Sequence, residues 1–557
     1  MDLRRFLPIG SLLVAAACGG AAPQTLADMP NLDTTRVLAD IKRLSSDEFQ
    51  GRAPGSEGER LTVQYLTEQF KAAGLEPGNP DGTWVQKVPL VGMRPMVTSP
   101  FTITQGGKAR QLKALGDIVP FSRRVSETVT LDKSDVVFVG YGIQAPEFQW
   151  DDYKGVDVKG KTILMLVNDP PVPGGGLEGL DPATFGGKAM TYYGRWVYKF
   201  EKAAEMGAAG VLVIHETGPA GYPFAVAQGM GGERFNLSTP DKNMGKAAVE
   251  GWISLEAATE LFKGAGLNFD EMKAKAATRE FTPVPLKATA SVTLSQTIRT
   301  VDSQNVVAKL TGSDSALNTE YVVYTAHWDH LGVGAPGPDG DTIYNGAMDN
   351  ASGTATVLEI ARAYKALPTA PRRTVVFLAV TAEEQGLLGS EYYARFPLYP
   401  LERTLANVNV DGMNMWGRTS DATVIGMGAS DLDDYLAAAA KEQNRMLIPD
   451  PESEKGFYYR SDHFNFAKVG VPALYIDDGT TFVDKPAGYG KQKRDDFTRL
   501  DYHKPSDNVK ADWDLSGLAE DGKLLFAVGY RVSMAATYPE WKAGNEFKAV
   551  RDKMLKR

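Results

Sequence analysis

Five short stretches gather the residues able to hold divalent cations: His327-Trp328-Asp329-His330, Met348-Asp349-Asn350, Ala382-Glu383-Glu384-Gln385, Val410-Asp411-Gly412 and Asp501-Tyr502-His503. The chain has only five histidines in 557 residues, and two of them stand at the ends of this set. Carboxylates and imidazoles brought together away from water are costly unless a cation neutralises them. Two zinc ions satisfy the set. One takes His327, Asp349 and Asp411; the other takes Asp349, Glu384 and His503, so that the two oxygens of Asp349 bridge the ions. Nitrogen and oxygen donors with an open position suit catalytic rather than structural zinc. A pair of such ions about 3.5–4 Å apart would activate water near neutral pH and hold a substrate carbonyl.

Each residue also has a plainer reading. Glu383 and Glu384 are adjacent acids that repel unless given different tasks. The natural division makes Glu383 the general base and Glu384 a zinc ligand; two solvated loop acids are the alternative. Asp329 is near enough in sequence to accept the second N–H of His327 and fix its tautomer, though a local role is equally open. Asp349-Asn350 precedes a helix, where either residue could cap the first turn. Tyr502 could polarise a scissile carbonyl with its hydroxyl, or could only pack. His330 and His463 read as supporting or structural groups, and His215 has no partner in sequence.

The elements that must position these residues follow from apolar periodicity. Strands are expected at 321–326, 374–380, 405–410 and 472–476, with helices at 354–367, 432–445 and 515–538 between and after them. Apolar strands alternating with helices imply a mostly parallel sheet covered on both faces, with the site beyond the carboxyl ends of the strands. His327, Glu383, Glu384 and Asp411 all fall at that end. Upstream, a helix is expected over 33–44, and Ser56 with Glu59 reads as a capping box opening a second helix that stops at Gly74. A strand is expected over 84–90. From about residue 112 the pattern changes to short β runs at 136–139, 162–167 and 211–214, with a helix at 196–206, which suggests a separate β-rich unit. The expected division is 1–30 for a signal peptide and tether, 31–111 and 295–557 for the zinc-binding domain, and 112–294 for the insert. The loop-rich stretches 452–459 and 480–499 are expected to line the cleft.

Composition agrees with a globular protein of two or three domains: 43% hydrophobic, 23% charged, with 57 Gly and 32 Pro. A net charge of −9 argues against a nucleic-acid binder, so no nucleic-acid partner is expected. Arg4-Arg5, the apolar run Phe6 to Ala17 and Ala15-Ala16-Ala17-Cys18-Gly19 resemble a bacterial lipoprotein signal. The expectation is export with a lipid anchor at Cys18 as the only membrane contact; Ala15, where such signals usually have Leu, leaves ordinary secretion open. Cys18 is the only cysteine, so neither a disulfide nor a thiolate zinc ligand is expected in the mature chain.

Taken together, His327-Trp328-Asp329-His330-Leu331-Gly332, Asp349-Asn350-Ala351-Ser352-Gly353, Glu383 to Ser390, Val410-Asp411, Arg460-Ser461-Asp462-His463-Phe464 and Asp501-Tyr502-His503-Lys504-Pro505 resemble the M28 family of zinc aminopeptidases and related carboxypeptidases. Ser45 to Gly55 resembles that family's opening, and the insert resembles a protease-associated (PA) domain through Gly140-Tyr141-Gly142, Val158 to Lys161 and Ala203 to Gly210. The resemblance implies a phosphorylase/hydrolase-like α/β fold and removal of N-terminal residues from peptide substrates. Two other activities on the same fold, carboxypeptidase and glutaminyl cyclase, stay open. A carboxypeptidase would need a cation for the substrate carboxylate, for which Arg460 is available. A binding protein on a dead peptidase scaffold is disfavoured because all five ligands and Glu383 remain.

Overall fold

The computed structural model describes residues 25–229 and 232–556. At its centre Tyr321–His327 lies between Thr374–Val380 and Thr404–Asn409, parallel to both. Ala473–Asp477 continues the sheet in parallel beyond Thr404–Asn409. The Thr374–Val380 strand is buried at every position, as expected of a sheet covered on two faces. Its period-2 alternation divides it between two cores. Val375, Phe377 and Ala379 join Val322, Tyr324 and Ala326 on one face, with the helices Thr34–Leu44, Ser352–Lys365 and Ser516–Met534. Val376, Leu378 and Val380 face the other way, with Tyr393, Phe464 and Phe466. Antiparallel strands flank this centre: Val306–Leu310 pairs with Thr374–Val380, and Asp421–Val424 with Ala473–Asp477, beyond which Met446–Pro449 runs parallel to Asp421–Val424. The sheet is therefore mixed and mostly parallel through its centre, with helices on both sides.

The second unit repeats this plan on a smaller scale. Thr128–Phe138, Thr162–Leu166, Gly210–His215 and Val249–Ser254 are parallel neighbours in that order, and Ile118–Phe121 closes the edge antiparallel. The helix Trp196–Glu205 buries Phe200 and Ala203 against Val211 and Val213, while Leu164, Leu212 and Ile214 pack on the opposite face.

Several expectations need correction. The strand expected to end at 90 continues through Val85–Gln105, and Val284–Leu310 pairs with it antiparallel, from Gln105↔Ala288 to Val85↔Val306. These two strands run from one sheet into the other, and Phe101 and Ile103 belong to the core of the second unit, upstream of residue 112. The tether expected up to residue 30 is partly packed structure: Leu26 and Met29 are buried in the main core, and the Leu26 N–H donates to Glu442 at 2.7 Å. Cys18 and the rest of the expected signal lie outside the described residues. Half of the capping box forms. Ser56 Oγ accepts from the Glu59 N–H, but the Glu59 carboxylate accepts from the Gly55 N–H and the Ser303 hydroxyl, because burial gives it partners beyond its own helix. The stretch 480–499 contains a helix, Tyr489–Leu500, whose Tyr489, Gln492, Lys493, Asp496 and Phe497 line a cavity of about 390 Å³ bordered by Met348 and Asp507.

Candidate metal centre

His327 is the last residue of the central strand. Thr354 donates to its carbonyl at 2.7 Å. The His327 Nδ1 lies 3.1 Å from the Asp329 carbonyl oxygen and 3.8 Å from its carboxylate. The expectation that the Asp329 side chain fixes the imidazole is thus corrected: the backbone carbonyl takes that role. The Asp329 carboxylate instead accepts from the N–H groups of Glu383 and Glu384, at 3.0 and 3.4 Å. It holds the acid pair rather than the imidazole, because the Thr374–Val380 strand ends directly alongside.

The turn into that pair begins at Ala382, whose φ of 52° is left-handed. Before it, the Thr381 N–H donates to Asn305. Asp349 comes from an irregular turn before Ser352–Lys365, and its peptide bond to Asn350 is cis. The capping task falls to Asn350, whose Oδ1 accepts from the N–H groups of Gly353 and Gly412, each at 2.9 Å. Its amide also donates to the Val410 carbonyl, so one side chain ties the Asp349 turn to the Asp411 loop. A Cβ at position 353 would sit 2.3 Å from Asn350 Oδ1 and 2.5 Å from the Val410 oxygen, so only glycine fits. From the far side Asp507 accepts from the N–H groups of Met348 and Asp349 at 3.0 and 3.1 Å; burial raises this carboxyl to about 6.

Asp411 is oriented by a chain of buried polar groups. Asn407 donates to the Thr325 hydroxyl, Thr325 to Asn409 at 2.7 Å, Asn409 to the Ser461 hydroxyl at 2.7 Å, and Ser461 to Asp411 Oδ2. Asn407 and Asn409 do not mark a sheet edge. They lie inside the sheet, where Asn407 donates to the Thr325 hydroxyl of the neighbouring strand and Asn409 accepts from it.

These elements bring the five ligand candidates together. His327 Nε2 lies 3.2 Å from Asp349 Oδ1 and 3.1 Å from Asp411 Oδ1. His503 Nε2 lies 3.3 Å from Asp349 Oδ2 and 3.0 Å from Glu384 Oε2. Asp349 thus points one oxygen at each imidazole. Donors around a tetrahedral ion with arms of about 2.0–2.1 Å are separated by about 3.3 Å, so the spacing fits zinc. Glu383 Oε2 lies 3.9 Å from His327 Nε2, beside the ligand set. His330, read from sequence as a supporting group, enters the cluster directly: its Nδ1 is 2.5 Å from Glu384 Oε1, and its buried Nε2 has no partner. Glu384 therefore divides its oxygens between His330 and His503. The Tyr502 ring stacks on His503 at 3.9 Å between centroids. His463 is buried between Tyr458 and Tyr475, away from the donors.

The charges show a centre short of cations. Burial alone would depress His327, but the Glu383 and Asp411 charges outweigh it and hold it well above the usual imidazole value. Burial likewise opposes charge on Asp349, yet hydrogen bonds from His327 and His503 keep it well below the ordinary carboxyl range. Burial drives Glu383 well above its usual value, with Asp411 and Glu384 adding to the rise, and lifts Asp329 to about 8. Negative charge that pushes imidazoles toward protonation and a glutamate toward neutrality is what divalent cations would relieve.

Arg52 has no signature in sequence beyond its turn. It is fully buried, and its guanidinium donates to the carbonyls of Trp328, Leu44, Asn345 and Gly346 at 2.6–2.9 Å. It binds together the loops on either side of the ligand residues. No local pattern could have announced it, since all four acceptors are backbone groups.

The fold and the donor set define a metal centre of the nitrogen-and-oxygen class at the carboxyl ends of parallel strands. Residues 305–527, which include every ligand candidate, match the model of peptidase family M28. It is similar to aminopeptidase YwaD of Bacillus subtilis, at 32% identity over 212 residues, covering 37% of this chain and 40% of that one. It is also similar to aminopeptidase NAALADL1 of Mus musculus, at 37% identity over 127 residues, covering 20% and 16%. The chain thus spans less than half the length of these curated relatives. Among solved structures, an aminopeptidase from Aneurinibacillus sp. strain AM-1 aligns over 91% of this chain and 95% of its own, at 20% identity and a TM-score of 0.49.

Proposed function

We propose that the protein is an exported aminopeptidase that uses two zinc ions to hydrolyse the first peptide bond of its substrates. The observation that carries this reading is the placement of Asp349, one oxygen toward His327 and Asp411 and the other toward His503 and Glu384, with Glu383 unclaimed beside them. His327, Asp349 and Asp411 would hold one ion, and Asp349, Glu384 and His503 the other; bound there, the pair would supply Lewis acidity for the carbonyl and lower the pKa of water. Glu383 takes the proton from the attacking water and returns it to the leaving amine. Asp329 keeps Glu383 and Glu384 in place through their N–H groups. His330 braces Glu384, and Tyr502 holds the plane of His503 by stacking. Export and lipid attachment at Cys18 rest on the amino-terminal signal, and the insert is read as a PA domain beside the cleft.

The test is direct. Purified protein reconstituted with zinc is expected to bind two equivalents and to release amino acid from aminoacyl p-nitroanilides in a chelator-sensitive way. Glu383→Gln should retain zinc and lose most of its turnover; full activity in that variant would overturn the assigned base.

A further inference from the structure

A short helix, His463–Lys468, stands between the insert and the metal centre. On the metal side it is tied to both branches of the site. Ser461, two residues before it, donates to Asp411 Oδ2, and the Phe464 N–H returns to the Ser461 carbonyl at 3.1 Å. Asp462 accepts from the Ser390 hydroxyl at 2.6 Å. The Asn465 amide donates to that same hydroxyl at 2.9 Å and to the Leu387 carbonyl at 3.0 Å. Leu387 in turn donates its N–H to the Glu383 carbonyl at 2.8 Å, closing the turn that carries Glu383 and Glu384. One helix therefore bears on the Asp411 loop and on the acid pair together.

On its other side the helix meets the insert. Phe464 and Lys468 are four residues apart and share one helix face. That face receives Tyr192, whose ring lies 4.9 Å from the Phe464 ring between centroids. The Lys468 Nζ donates to the Tyr192 hydroxyl at 2.9 Å and to the two Glu201 oxygens at 2.9 and 3.0 Å. Among the described residues, all of its hydrogen-bond acceptors thus belong to the insert. The Tyr192 hydroxyl also donates to Glu201, which closes the triangle. Tyr192 packs against the apolar cores of both units. Nearby, the Met190 N–H donates to the Ser453 carbonyl at 3.1 Å, so the contact extends to the segment leading into the helix. The Lys468 and Glu201 side chains are 40% and 35% exposed. An ion pair this open to water adds little to global stability. What it fixes is the orientation of the helix against the insert.

We propose that Tyr192, Glu201 and Lys468 form a latch through which the insert positions the metal centre, with the helix His463–Lys468 as the lever between them. The three are positioning residues, acting through Ser461 and Asn465. With the latch made, Ser461 keeps Asp411 turned toward His327, and Asp462 and Asn465 keep the Glu383-Glu384 turn closed. With it broken, both branches lose the same support. The effect on zinc rests on the peptidase reading; the mechanical coupling does not.

Full-length protein is compared with Lys468→Met, Glu201→Gln and Lys468→Arg. The first keeps an unbranched stem against Tyr192 and loses the three bonds. The second keeps the shape of Glu201 and removes its charge. The third keeps charge and donors. In metal-free protein, hydrogen exchange read by mass spectrometry follows peptides covering 461–468, 383–390 and 409–412. Exchange in all three is expected to quicken about twofold to thirtyfold in Lys468→Met and Glu201→Gln, the range for a coupling passed through packed elements, and to stay near wild type in Lys468→Arg. The denaturation midpoint of the metal-free protein should hardly move. Wild-type exchange in the first two variants, or quickening confined to 461–468, would overturn the latch. So would quickening spread over the whole chain with a lowered midpoint, which marks a merely structural loss. Chelator competition then reads zinc: affinity is expected to fall by a similar factor in the first two variants and to recover in Lys468→Arg, and unchanged affinity counts against positioning of the centre. Wild-type protein that takes up no zinc would sink the peptidase reading alone, because the exchange experiment decides the latch without metal.

Discussion

Glu383 sits 3.9 Å from His327 Nε2, with its backbone fastened by Asp329. It contributes no oxygen to either three-residue ligand set, which is what allows it to move a proton. Replacing it with glutamine keeps the shape and removes the basicity, so kcat is expected to drop about 10²–10⁴-fold with zinc content unchanged, measured by steady-state kinetics beside elemental analysis. Asp349→Ala differs in kind. It removes the one side chain common to both ligand sets, and zinc content itself should fall. His463 offers a test of stability that is independent of the metal. Burial lowers it to about 3 from an ordinary value of 6.5, so the folded protein keeps it neutral while the unfolded chain binds a proton below pH 6.5. Its contribution is fully present above that pH and is lost as pH falls toward 3, at up to about 1.4 kcal/mol per unit. Denaturant titrations of His463→Gln should show a shallower loss of stability over this window than wild type.

At the scale of elements, the centre depends on how strand ends and turns are tied. Arg52 gathers four carbonyls from three segments, and Asn350 links the Asp349 turn to the loop carrying Asp411. Each carbonyl left unpaired in a buried site costs about 1–3 kcal/mol. Arg52→Met is expected to lower stability by more than about 2 kcal/mol and to weaken zinc binding about 10–100-fold, as loss of groups that orient ligands generally does. Chemical denaturation and a competitive zinc-chelator titration read the two effects separately.

At the scale of the molecule, the strands Val85–Gln105 and Val284–Leu310 join the two sheets, and their pairing passes through Arg94↔Thr297 without interruption. Excising residues 112–294 would leave Phe101 and Ile103 without the core that buries them. A shortened chain closed by a hairpin between 94 and 297 should be more soluble on expression than one closed between 111 and 295, though both lose the Arg234–Leu237 strand that pairs with 90–93. Metal binding acts on the whole fold by linkage. Zinc at about a hundred times its Kd adds about 2.7 kcal/mol, so chelator-stripped protein should melt at a lower temperature than reconstituted protein in a thermal scan.

The residue types at 327, 349, 383, 384, 411 and 503, and the apolar runs before most of them, were legible in the chain because donor chemistry and period-2 burial are local properties. Those runs supported a mostly parallel sheet with the site at its carboxyl end. What depended on distant partners was not legible. Asp329 binds two backbone N–H groups rather than the imidazole beside it, His330 lies against Glu384, and Asn407 and Asn409 pair inside the sheet. The far ends of the long strands stayed hidden for the same reason: Arg94, Pro95, Thr98 and Ser99 interrupt the apolar pattern while the backbone pairing continues. The chain by itself determined which groups could hold a cation and roughly where strands and helices lie. Only the tertiary structure decided which carboxylate braces which ligand, because each hydrogen-bond donor takes whichever acceptor folding brings near, not the one closest in sequence.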